Sequence, residues 1–118
     1  MTIEEQLTAL LSPLLPGGLH PHIAPQNSVT PYAIYQEIIS PTENTLSDGV
    51  PIQQSVMQID VYDKTYPLVK TASNTLETAM QAAFAAGTLA GVQRSRRSLY
   101  EPDPKLHRIM YEFSLWYH

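Results

Sequence analysis

His20 and His22 flank Pro21, and an HxH pair can serve a metal ion when further ligands converge on it. Only His107 and His118 remain among the four histidines to help, and the pair lies in a proline-rich stretch. Solvent-exposed loop histidines are the simpler reading. Asp60 and Asp63 invite a paired-carboxylate reading for acid–base work. A spacing of three along a strand puts them on opposite faces, so they cannot meet one substrate without a bulge. Asp60 beside Gln58 reads as a polar strand face, and Asp63 as the start of a turn. Serine and threonine are plentiful, yet the chain has no GxSxG, no SxxK and no phosphate-cradling glycine loop. Of its five glycines only Gly17 and Gly18 are adjacent. The residues therefore point to no catalytic site, no metal and no cofactor.

Contact chemistry is better represented. Arg94, Arg96 and Arg97 form the densest positive charge. On a strand, Arg94 and Arg96 share one face while Arg97 points the other way. One reading is a solvated face with ion pairs to Glu112 and Asp60 on neighbouring strands. The other is a subunit contact, or a surface facing DNA or an acidic partner loop. Trp116 falls on the polar parity of the last strand, where an exposed aromatic would serve as a contact anchor. Residues 40–51 hold Pro41, Asn44, Asp48, Gly49 and Pro51 and read as a long projecting loop of roughly ten residues, beyond the usual hairpin connection of about 2–5. Within it Thr45, Leu46 and Asp48 are candidate assembly contacts. Glu43 and Asp48 make that arm mildly acidic.

The elements that must position these residues follow from periodicity. Met57, Ile59 and Val61 alternate with Gln58 and Asp60, as in a strand covered on one face. Leu68, Val69, Ala72, Leu76, Ala79, Met80, Ala83 and Phe84 form a helical stripe directly after it. Thr65 caps that helix, Pro67 suits its first turn, and Ala85, Ala86 and Gly87 end it. A one-sided strand and a one-sided helix so close together pack on each other. At the N-terminus, Thr2 and Glu5 make a capping box before Ile3, Leu7, Leu10, Leu11 and Leu14. That helix ends near Pro13 to Pro16, with a turn at Gly17-Gly18. A short extended piece is expected around His22 to Ala24, and a strand over Pro31 to Ile39. A fourth strand covers about Gly91 to Leu99. The last strand alternates Ile109, Tyr111, Phe113, Leu115 and Tyr117 against Arg108, Glu112 and Ser114. The order is helix, short strand, strand pair, helix, strand pair. The expected fold is α+β: an antiparallel or mixed sheet of about four to five strands with two helices packed on one face.

A chain of 118 residues suits one domain, spanning 1–118. Its charged fraction of 15% leaves a surface that neighbours can bury, a hint of oligomerisation. A net charge of −4 argues against general nucleic-acid binding. With no cysteine, the fold relies on no disulfide and offers no thiol nucleophile. Glu4 and Glu5 stand where a signal peptide would be basic, and Leu7 to Leu15 is too short to span a bilayer, so no membrane partner is expected and the cytoplasm fits.

Several segments taken together carry a resemblance. They are the opening helix, Pro31-Tyr32-Ala33-Ile34-Tyr35-Gln36, Gln58-Ile59-Asp60-Val61-Tyr62-Asp63, Thr65-Tyr66, Leu99-Tyr100-Glu101-Pro102-Asp103 and Tyr111-Glu112-Phe113-Ser114-Leu115-Trp116-Tyr117. In this order and spacing the chain resembles the small tail-completion proteins of long-tailed phages and prophages. The resemblance implies a structural role with no catalytic residue to carry over. It implies finishing the tail tube at its head-proximal end, with self-assembly into a six-fold ring or a monomer awaiting a template. The implied partners are the major tail-tube protein and the head–tail connector. Two other classes stay open at this level: a small enzyme built on His20, His22 and Asp60, and a soluble adaptor unconnected to virions.

Overall fold

A computed structural model describes residues 2–24, 29–45, 51–101 and 106–117. Helix α1 spans Ile3–Leu11 and opens on the expected capping box. The Thr2 hydroxyl accepts from the Glu5 amide, and the Glu5 carboxylate accepts from the Thr2 amide, both at 3.1 Å. Ile3, Leu7 and Leu11 are its buried stripe. A 3-10 turn at Ser12–Leu14 carries Pro13. Strand β1 is Leu19–Pro21, β2 is Tyr32–Thr45 and β3 is Pro51–Asp63. Helix α2 follows as Tyr66–Ala86, then β4 as Ala90–Glu101 and β5 as Leu106–Tyr117. The Thr65 hydroxyl caps α2 by accepting from Leu68 N at 3.3 Å. Gly87 ends the helix in the left-handed conformation, φ 77°, where a side chain would be strained.

The five strands form one sheet in the order β1-β2-β3-β5-β4. β1 runs parallel to β2, and every other neighbour is antiparallel. The sheet is therefore mixed, and with its two helices the fold is α+β. Register decides which side chains face the helices. Ala33 sits across from Val61, Ile59 from Tyr111, and Tyr111 from Arg96, all on one face. There Met57, Ile59, Val61, Ile109, Tyr111, Phe113 and Leu115 join Leu7, Leu11, Val69, Leu76 and Met80 in one buried cluster. Each large aliphatic side chain so buried stabilises the fold by about 1.5–3 kcal/mol before entropy is charged against it. Both helices thus share a face, and the alternation in β3 and β5 is its cause.

Three expectations need correction. The short strand lies at Leu19–Pro21, ahead of His22 to Ala24, because buried Leu19 anchors it and His22 turns away at φ 60°. The supposed loop over residues 40–51 is largely ladder: β2 continues to Thr45, paired with Pro51. Pro41 is tolerated because the register shifts between Glu37 and Ile39 and again between Ile39 and Thr42. At such bulges an amide hydrogen is dispensable. Leu46 and Asp48 lie outside the described residues. Within α2, Leu68 is 52% exposed, whereas Ser73 takes a buried place in the stripe.

Ser73 yields a first prediction. Its hydroxyl is buried without a partner among the described residues, while its carbonyl accepts from the Tyr111 hydroxyl. Ser73→Ala keeps the carbonyl, removes an unsatisfied group and improves helix propensity. We expect neutral to about 1 kcal/mol of added stability in urea unfolding. A loss of similar size would mean that the hydroxyl has a partner.

Candidate functional site

The three arginines lie on β4, which ends the sheet order and so is an edge strand. A register shift between Gln93 and Ser95 leaves Arg94 as the extra residue of a bulge. Arg94 is exposed and lines an open groove with Glu77, Thr78, Gln81, Gln93 and Ser95, on the helix side of the sheet. Arg96 is also on that side, across from Tyr111. Its guanidinium bonds the Glu77 carboxylate at 3.1 Å and lies 5.5 Å from the centre of the Tyr111 ring. Arg97 is paired with Met110 and points to the opposite face. The division of faces is as expected, but the pairing is not. Arg96 meets Glu77 of α2 because Glu112 and Asp60 belong to the other face.

Beneath Arg96 the Tyr111 hydroxyl donates to the Ser73 carbonyl at 3.0 Å. Burial pushes the phenol up to about 12 from an ordinary value of 10.0, against the lowering effect of Arg96 and with a smaller raising effect of Glu77. A raised acid favours its neutral form in the fold. Its contribution is fully present below the unfolded value and is lost as pH rises through about 12. Tyr111→Phe should cost about 1 kcal/mol at neutral pH for the lost hydrogen bond. Between pH 10 and 12 its stability should fall less steeply than that of the parent chain. Parallel slopes in an alkaline denaturation series would refute the assignment.

Among the described residues no helix covers the opposite face of the sheet. Tyr32 and Tyr62 stack there, with ring centres 5.1 Å apart. Gln58 Nε2 donates to both Asp60 oxygens, at 3.2 and 3.0 Å, and Arg108 approaches the same carboxylate at 3.9 Å. Asp60 is only 5% exposed, and Val56, Met110 and Ser114 are likewise buried on this side. Asp60 thus belongs to a polar strand face as expected, though a more enclosed one. Asp63 points the other way and accepts from Lys64 N at 2.7 Å, opening the turn into α2. Sequence reading missed the density of this open face. Val56 and Met110, apolar residues on a polar parity, were its signal.

Trp116 is half-buried on the open face, between Gln54 of β3 and Ala90 of β4. Its register position lies six residues from Met110, the partner of Arg97, or about 20 Å along the strand. Thr45 pairs with Pro51, only three residues from Gln54. Trp116 therefore sits toward the Thr45 end of the sheet, apart from Arg97. Of the histidines, His22 is exposed, while His20 is half-buried in β1, its Nε2 donating to the Gly17 carbonyl at 2.6 Å. Among the described residues no group of three His, Asp or Glu gathers as a metal site requires. No described helix is long and apolar enough to cross a membrane.

Among the described residues the geometry leaves one edge of the sheet unpaired at β4 and one face without a helix. A model of the tail completion protein gp17 family matches residues 4–118. The chain belongs to that family. As a tail completion protein it has a structural role in the phage tail, and the family is non-enzymatic. Its place is the virion tail, and its partners are other tail components. The small-enzyme and free-adaptor readings are set aside by this membership. No curated protein matches the chain.

Proposed function

We propose that the chain is one tail-completion domain that terminates the tail tube and helps join it to the head. It acts by ring-like self-assembly at the head-proximal end, after synthesis in the host cytoplasm, with the major tail-tube protein and the head–tail connector as partners. The observation that carries this reading is the extent of the family match. It takes in all five strands and all but the first residue of α1. Two features support it. The sheet has an open edge at β4, and the face opposite the helices carries the half-buried aromatic side chains of Tyr32, Tyr62 and Trp116. Aromatic and arginine side chains are the usual anchors of such contacts.

Mass by light scattering, with and without purified tail-tube protein, tests the proposal alongside negative-stain imaging. Rings of about six subunits, or capped tube ends, are the expected outcome. A monomer or dimer that ignores tubes overturns it.

A further inference from the structure

The two ends of the sheet differ in a way that selects a partner. At one end β4 presents its outer edge over twelve residues, Ala90–Glu101. At the other, β1 covers β2 only across from Ala33 to Tyr35. Among the described residues, nothing pairs with the outer edge of β2 from Gln36 to Thr45. Unpaired edges invite further strands, and natural proteins either blunt them or use them.

Their charges are opposite. β4 carries Arg94, Arg96 and Arg97. Glu77 neutralises Arg96, which leaves Arg94 and Arg97 exposed and without an ion pair among the described residues. At the β2 edge Glu37 is exposed on the helix side, across from Met57. Glu4 and Glu5 of α1 line a groove with Tyr35 on that same side. The residues of β2 from Gln36 to Thr45 include no cation.

We infer that the outer edge of β4 in one copy docks antiparallel on the free edge of β2 in the next. The inference rests on the self-assembly proposed above and names its contact. Direction supports it. Successive antiparallel neighbours make β4 run opposite to β2 within the sheet. A second copy facing the same way therefore brings β4 and β2 together antiparallel, with all helices on one side. Arg94 then falls on the same side as Glu37 and the α1 carboxylates. Symmetric alternatives are worse: β4 against β4 sets arginines beside arginines, and β2 against β2 sets Glu37 beside its own copy. A contact between two different surfaces is heterologous, and repeated rotation closes it into a ring. The bulges at Arg94 and between Glu37 and Thr42 narrow the choice further, since only a strand of matching curvature can pair there.

Charge reversal tests this with residues that are exposed in the monomer. R94E/R97E and E37R are purified separately, checked for folding by circular dichroism, and compared with the parent chain by sedimentation, with tube protein as template where assembly needs one. Each variant alone should self-associate at least about tenfold more weakly. An equimolar mixture of the two should recover, because alternating subunits restore opposite charge at every contact. Hydrogen exchange should also slow on assembly, by about tenfold or more, for amides within residues 36–45 and 90–101. Three results overturn the inference while leaving ring formation standing. In the first, the parent assembles and the variants match it. In the second, only R94E/R97E is affected, as a symmetric β4 contact would require. In the third, R94S/R97S associates more strongly than the parent, which would make the arginines mere edge guards. A parent chain that never assembles, even on tubes, overturns both.

Discussion

Phe113→Ala is expected to destabilise the fold by about 3–5 kcal/mol. The side chain is fully buried in β5. It stacks on Tyr111 with ring centres 5.6 Å apart and meets the edge of Phe84 at 6.0 Å. Truncation removes the ring that ties α2, through Phe84, to the centre of the sheet. Neither neighbour can refill the space readily. Tyr111 is held by Ser73 and lies beneath Arg96, while Phe84 is near the end of its helix. Against a typical net stability of about 5–15 kcal/mol, this loss is large. For a chain of this size it lowers the melting temperature by roughly 12–20 °C. Urea unfolding with an unchanged slope would confirm a loss of native stability. A shift below about 1 kcal/mol would mean that the core collapses into the space.

The second large effect comes from the smallest side chain. At Gly91 an added Cβ would lie 2.6 Å from the Ser114 carbonyl oxygen, 2.7 Å from Leu115 Cδ2 and 2.9 Å from Phe84 Cε1. The carbonyl belongs to the β5 backbone and cannot yield without moving the ladder. Gly91→Ala should cost about 2–3 kcal/mol by overpacking and shift the start of β4 away from β5. Gly87→Ala is the contrasting control. Its Cβ would meet nothing within 4 Å. Only the left-handed backbone opposes it, at about 1–2 kcal/mol. Thermal melts of the two variants side by side distinguish crowding from backbone strain. If Gly87→Ala proved the more damaging, the close approach of β4 and β5 at Gly91 would be wrong.

Much of this was legible in the residues because one-sided burial writes a period into a sequence. Met57, Ile59 and Val61, and the run Ile109 to Leu115, announced their strands and their buried face. Thr2 with Glu5, and Thr65 with Gly87, marked helix ends by local hydrogen bonding that needs no tertiary partner. What stayed hidden depends on contacts between distant segments. No local pattern says that β5 inserts between β3 and β4. Pro41 reads as a breaker on its own, and only the bulged register of β2 against β3 accommodates it. The faces of Arg94, Arg96 and Arg97 followed from alternation, but the bond from Arg96 to Glu77 required knowing that α2 lies over β4. Ser73 had no place in the apolar stripe read from the sequence, yet it is buried and its carbonyl accepts from the Tyr111 hydroxyl in the core.

The order of the strands has a bearing on synthesis. β2 with β3, and β4 with β5, are neighbours in sequence, and such hairpins close within about 1–10 μs. The seam between β3 and β5 joins segments separated by α2 and all of β4. It can close only when residues 106–117 have left the ribosome, and long-range pairings of this kind slow folding. Until then the nascent chain carries β3 with one ladder made and the other waiting. A fragment ending before β5 would expose the middle of the sheet, where Met57, Ile59 and Val61 favour sticking to other chains. β5, made after the other four described strands, is thus the strand that turns two hairpins into one sheet.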